Sequence, residues 1–323
     1  MDNNVASPGG DVVRLGVSSC LLGHAVRYDG HHKADAYILG TLARVFELVP
    51  FCPEVAAGLG VPRPPVRLSG DPSAPRARGV DDPGLDVTAA LRQYGRDTAR
   101  RLGDINGFIF KSRSPSCGMA GVKLYPDCGP PRPRGVGLFA REIMAARPLL
   151  PVEEEERLGD PLLRENFIER VFAHRRWQAL LAGRLSAARL LDFHAVHKLA
   201  LMAHGPGCFR ELGRLLAGAG RQPVRTVAAD YGVRFMAALT HRATRKRHTK
   251  VLRHILGCFK KKLDRDDVAE LLEVIDAYRL GELPLLVPVA LFRHHLRRHH
   301  HPYLARQTYL NPEPRELMWR GLA

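Results

Sequence analysis

Over the first 150 positions apolar residues come in short runs, and beyond them they recur at helical spacing. Val12 to Val17, Phe46 to Phe51 and Ile105 to Phe110 are each of strand length, and each gives way at once to loop-forming residues. Ala34 to Arg44 and Pro83 to Arg101 are long enough to be helices linking those strands, so the pattern predicts parallel crossovers. The Pro- and Gly-rich stretch from Gly58 to Pro75 reads as a surface excursion, and the acidic run Glu153 to Glu156 as a solvated linker or helix start. Further on, Phe167, Val171 and Phe172 open a helical pattern. Others run through Leu190, Leu191, His194, Ala195 and Leu199, through Val251, Leu252, Ile255, Leu256 and Phe259, and through Val268, Leu271, Leu272, Ile275 and Tyr278. The expected architecture is an α/β N-terminal domain with a mainly parallel sheet over 1–150 and an all-α C-terminal domain over 151–323, the boundary falling between Pro148 and Leu163.

Composition narrows this picture. A chain of 323 residues, 45% hydrophobic and 25% charged, has room for two domains and is too apolar to be mainly disordered. Leu283 to Phe292, among the longest apolar runs, is broken by Pro284 and Pro288. It falls short of the roughly 20 residues a spanning helix needs, so no membrane association is expected. Met1 to Asp11 lacks a basic segment followed by an apolar one, and a cytoplasmic location is expected.

The net charge of +16 is uneven: 19 basic and 14 acidic residues up to position 150, 30 and 19 after it. Either a polyanionic partner or an Arg-rich coding bias accounts for such an excess. From His241 to Lys262 there are nine Lys or Arg residues and no acid. Lys246, Lys250 and Arg253 fall on one helical face, with Val251, Ile255, Leu256 and Phe259 on the other. Such a stripe suits a phosphate backbone. A solvated face or an anionic membrane surface would carry the same residues, although the apolar side favours docking on a protein core. The run Arg293 to His301 is read as an extension of this surface or as an adventitious metal binder.

Six cysteines, at 20, 52, 117, 128, 208 and 258, are too few for a disulfide scaffold, and none forms a CxxC pair. Cys20, Cys52 and Cys117 each follow a predicted strand, and in an open parallel sheet those ends converge where ligands bind. Any one of them alone reads best as a small buried hydrophobe; three in equivalent places suggest a shared centre. An iron–sulfur cluster with one open iron fits three thiolates, and zinc with a water fits them too. Spacing leaves both open. Cys128, in Pro126-Asp127-Cys128-Gly129, is a conceivable fourth ligand, while Cys208 and Cys258 read as structural.

Four blocks then carry a resemblance: Ser18-Ser19-Cys20-Leu21-Leu22-Gly23, Val26-Arg27-Tyr28-Asp29-Gly30, Val49-Pro50-Phe51-Cys52-Pro53-Glu54 and Ser114-Pro115-Ser116-Cys117-Gly118. In this order, over about the first 140 residues, they resemble the thiouracil desulfidase family. The second half is similar to the YbgA-like helical domain through Leu201-Met202-Ala203-His204, Ala243 to Thr249, Gly257-Cys258-Phe259-Lys260-Lys261 and Pro302-Tyr303-Leu304. The fusion resembles bacterial desulfidases acting on 4-thiouridine in tRNA. The resemblance implies a 4Fe-4S cluster on Cys20, Cys52 and Cys117 whose open iron takes the sulfur of a thiocarbonyl, with Glu54 and Ser114 as catalytic carboxylate and serine. Without it, Glu54 reads as a helix-start carboxylate and Ser114 as a turn cap. Two alternatives remain: a desulfidase of free thiouracil, and a non-catalytic iron–sulfur sensor that binds nucleic acid. The basic second half favours the tRNA enzyme over the first, and Glu54 and Ser114 favour an enzyme over the second.

Overall fold

The computed structural model describes residues 12–126, 129–218, 220, 222–259 and 262–312. The chain divides between Leu158 and Gly159 into two units. In chain order, the strands of the first are β1 (Arg14–Ser18), β2 (Glu47–Phe51), β3 (Val66–Ser69), β4 (Arg76–Gly79), β5 (Ile105–Phe110), β6 (Val122–Tyr125), β7 (Arg132–Gly135) and β8 (Val152–Glu154). Its α-helices are α1 (Ala36–Gly40), α2 (Pro53–Ala56), α3 (Thr88–Arg101) and α4 (Leu138–Ala146).

Strands buried on both faces are mostly apolar, and β5 is buried along its whole length; its one polar side chain, Asn106, accepts from the Arg14 N–H at 2.9 Å. It joins an all-parallel sheet of order β2-β1-β5-β8. Ala99 and Leu102 at the end of α3, with Phe139, Ala140 and Ile143 of α4, pack on Phe108 and Phe110 of β5. Because β1 has β2 on one side and β5 on the other, the connections leave it in opposite directions. Such a switch point opens a crevice at the carboxyl ends of the strands.

A second sheet, of order β4-β3-β6-β7, is mixed: β3 and β6 run parallel, and the two outer pairs are antiparallel. Its Leu68, Ala77, Val122 and Leu124 pack with Val87, Leu91 and Leu138. This sheet corrects the surface-excursion reading of Gly58 to Pro75, because that stretch contains β3. Pro64, Pro65 and Gly70 flank only four strand residues, which masks the alternation that would have marked a strand.

The acidic run is also corrected. Glu153 and Glu154 are 3% and 7% exposed and belong to β8, the edge strand beside β5. They tolerate burial because each carboxylate has donors: Arg157 Nε lies 2.5 Å from Glu153 Oε1, and the Met119 N–H donates to Glu154 Oε1 at 2.8 Å.

The second unit is helical: α5 (Pro161–Ala182), α6 (Ala187–Val196), α7 (Lys198–His204), α8 (Pro206–Ala217), α9 (Val224–Thr240), α10 (Arg245–Phe259), α11 (Arg265–Leu280), α12 (Leu286–Arg298) and α13 (Pro302–Ala305). Asp160 caps α5 by accepting from the Leu162 and Leu163 N–H groups, with Pro161 as the first helical residue. The predicted pattern from Leu190 to Leu199 spans two helices, α6 and α7, which meet at His197. Val251, Leu252, Ile255, Leu256 and Phe259 of α10 form one core with Leu271 and Ile275 of α11 and Val289 and Phe292 of α12. No helix among the described residues is long and apolar enough to cross a membrane.

Candidate functional site

All four strands of the parallel sheet deliver residues to the crevice. β1 runs into a 3-10 turn, Ser19–Leu22, which carries Cys20 and closes at Gly23 with φ 86. β2 ends at Phe51, so Cys52 becomes the cap before α2, with Pro53 and Glu54 in the first turn of that helix. β5 opens into the loop that holds Ser114 and Cys117, and β8 is followed by Glu155. Glu155 accepts from the Ser112 N–H and Ser112 Oγ, both at 2.7 Å, and pairs with Lys111, so the last strand ties down the start of that loop. Gly137 lies so close to the loop that a Cβ there would meet the Ser116 carbonyl at 2.6 Å and the Cys117 nitrogen at 2.7 Å. A larger residue would push the loop out of place.

Cys20, Cys52 and Cys117 line one cavity of about 440 Å³, together with Glu54, Arg63, Lys111 and Ser114. Burial pushes the Cys20 thiol up to about 11 despite the opposing pull of Lys111, and the neighbouring Cys52 adds to the rise. Burial likewise raises Cys52, partly offset by N–H groups at the start of α2. Cys117 is pushed well above the ordinary thiol value by burial first, opposed by a hydrogen bond with Ser18 and helped by Cys20 and Cys52. Three thiols that feel one another's charge are thus gathered from positions nearly a hundred residues apart. Thiolate is the form that binds metal, and a metal's own charge favours it. Cys128 lies outside the described residues, and Cys208 and Cys258 belong to the second unit.

Glu54 is fixed from two sides. Arg63 Nε and Nη2 donate to its Oε2 at 3.0 and 2.6 Å, and Ser116 Oγ donates to its Oε1 at 2.8 Å. Arg63 also donates to the Gly60 and Val26 carbonyls, each at 2.8 Å. Neither Arg63 nor Ser116 stood out in the sequence as a site residue. Ser116 could have been noticed beside Cys117, whereas Arg63 sits in the Pro-rich stretch with no local signal. Ser114 Oγ accepts from the Ser116 and Cys117 N–H groups, at 3.2 and 3.1 Å, so it caps the turn before the third cysteine. Among the described residues its own O–H has no acceptor, so it can donate to a bound substrate. Arg27 and Tyr28 line the cavity, and Arg27 is braced by Asp29 at 3.2 Å.

On α10, Lys246, Lys250 and Arg253 are exposed, and Val251, Ile255, Leu256 and Phe259 are buried. The three basic side chains line a shallow recess with Arg245 and Arg279. Arg253 donates to Asp276 of α11 at 3.0 Å, and Arg279 shares that carboxylate oxygen. The run Arg293 to His301 does not present one continuous surface: His295 is 2% exposed.

Residues 15–155 match the family described as 2-thiouracil desulfurase, and residues 198–314 match a family described as protein of unknown function, DUF1722. The uncharacterized protein YbgA of Escherichia coli (strain K12) is 32% identical over 152 residues, covering 47% of this chain and 90% of that protein. The uncharacterized protein YbbK of Bacillus subtilis (strain 168) is 36% identical over 108 residues, covering 32% of this chain and 71% of that protein. A solved structure of the 4Fe-4S-dependent thiouracil desulfidase TudS is 31% identical, covering 46% of this chain and 94% of that one, with a TM-score of 0.38. The chain belongs to the 2-thiouracil desulfurase family through its residues 15–155 and to the DUF1722 family, with YbgA, through its helical part.

Proposed function

We propose that the chain is an iron–sulfur-dependent desulfidase that converts 4-thiouridine in tRNA to uridine. The observation that carries this reading is the single cavity lined by Cys20, Cys52, Cys117, Glu54 and Ser114. Its donor set suits a 4Fe-4S cluster with three protein ligands: the sulfurs of buried Cys117 and half-buried Cys20 and Cys52, with Lys33, Arg63 and Lys111 lining the same cavity to balance the charge of thiolates. Cys20, Cys52 and Cys117 would hold the cluster. When bound, it supplies a Lewis-acidic iron with affinity for sulfur.

The net reaction adds water to the thiocarbonyl carbon and releases sulfide, leaving C=O where C=S stood. Glu54, oriented by Arg63 and Ser116, takes the proton from the attacking water. Ser114, whose oxygen already accepts two backbone N–H groups, donates its O–H to the charge that develops on the ring. Arg27 and Tyr28, which line the cavity, position the pyrimidine. A stacked base has to leave the tRNA body to reach this crevice.

The tRNA part of the reading is supported by the surplus of positive charge after residue 150 and by the exposed Lys246, Lys250 and Arg253. Phosphate contacts of that kind position RNA without reading its sequence, so selection of the thiolated base falls to the cavity. Free thiouracil is the second candidate substrate, favoured by the family to which residues 15–155 belong.

The test is anaerobic reconstitution with iron and sulfide, then incubation with thiolated tRNA or with free thiouracil and analysis of nucleosides and sulfide. Loss of 4-thiouridine with equimolar uridine and sulfide is expected. Turnover of thiouracil alone would move the assignment to the free base. A reconstituted cluster that desulfurates neither would end the enzymatic reading.

A further inference from the structure

We propose that Asp267, Glu270 and His295 form a binding site for a divalent transition-metal cation that ties α11 to α12. Asp267 and Glu270 are three residues apart on α11 and share a face, and His295 comes from α12, packed against it. One ligand atom from each of the three lies within 4.8 Å of the others. His295 is 2% exposed, and neither of its ring nitrogens has a hydrogen-bond partner among the described residues. Nδ1 faces Asp267 Oδ2 at 3.7 Å, too far for a hydrogen bond.

A buried imidazole with both nitrogens unmatched is costly, and a cation bridging it to two carboxylates removes that cost. No lysine or arginine among the described residues pairs with either carboxylate. One imidazole nitrogen and two carboxylate oxygens suit Mn2+, Fe2+ or Zn2+, and the exposure of Glu270 leaves the site open to water ligands. His294, His299, His300 and His301 follow or flank His295 in sequence without belonging to the cluster.

The site is independent of the desulfidase reading, and its test uses a different readout. Purified full-length protein is titrated with Mn2+, the free ion being followed by electron paramagnetic resonance; Mn2+ prefers oxygen to thiolate, which keeps the cysteines out of the measurement. One ion per chain is expected, with a matching rise in the thermal unfolding midpoint. Binding should persist when His299, His300 and His301 are all changed to Ala. Glu270→Gln, at an exposed position, should weaken it at least about tenfold. Asp267→Asn should abolish it while the helical circular dichroism is retained. No saturable binding, affinity unchanged in Glu270→Gln, or binding lost with the three outer histidines would each overturn the proposal.

Discussion

Arg63 has a side chain only 3% exposed, and it spends two of its four hydrogen bonds on Glu54. Removing one partner of a buried charge pair strands the other, so Arg63→Ala should cost about 3–5 kcal/mol of stability in urea unfolding. Arg63→Lys should keep the fold better and still slow turnover, since a point charge cannot hold the carboxylate from two donors. Glu54→Gln retains an acceptor for Ser116 and should leave the cluster's absorption intact while abolishing desulfuration. Ser114→Ala separates two roles: a catalytic hydroxyl predicts lost turnover with normal iron content, and a turn cap alone predicts lost iron. At this scale the loop signals after three predicted strands placed Cys20, Cys52 and Cys117 at neighbouring strand ends, and all three line one cavity; Glu54 and Ser114, which line it too, were singled out by the family resemblance alone. The sequence was silent at Arg63, whose partner lies across a Pro- and Gly-rich loop that local pattern cannot fold.

A strand dominated by large apolar residues was also legible: Ile105 to Phe110 is β5 residue for residue. β8 was not, because two of its three residues, Glu153 and Glu154, are acidic with two more acids after them, and burial of carboxylates depends on donors from outside the strand. Burial raises the Glu154 carboxyl above its ordinary value. Folding therefore favours its protonated form, and that stability is lost as pH rises through the raised value. Glu154→Gln keeps the acceptor for Met119 and should raise the unfolding midpoint at neutral pH, with the gain vanishing in acid. On α10 the prediction concerns salt. Each phosphate contact steepens the dependence of log affinity on log salt by about 0.9, so replacing Lys246, Lys250 and Arg253 by Ala should flatten it by about 2 to 3. Arg253 is already held by Asp276, which places the expected value near the lower end. Turnover of free thiouracil, if present, should be unchanged in that variant.

At the scale of the whole molecule, acid acts on the helical unit through a buried histidine. His197 is fully buried in the helical unit, and burial drives it down to about 3 from 6.5. Its neutral form is the folded form, so the unit should lose stability as pH falls below the ordinary histidine value and go on losing it toward about 3. Circular dichroism melts of the full chain over that range check the sign. The parallel sheet holds its three cysteines on three separate chain segments that meet only once β1, β2 and β5 are aligned. A finger-like motif can capture its ion on a nearly formless peptide, whereas these sulfurs share no neighbourhood until the sheet exists. On the proposed iron–sulfur reading, maturation is thereby ordered: the polypeptide would finish folding first and be loaded with iron afterwards. Loss of the inorganic centre to air would leave behind an intact, refillable apoprotein.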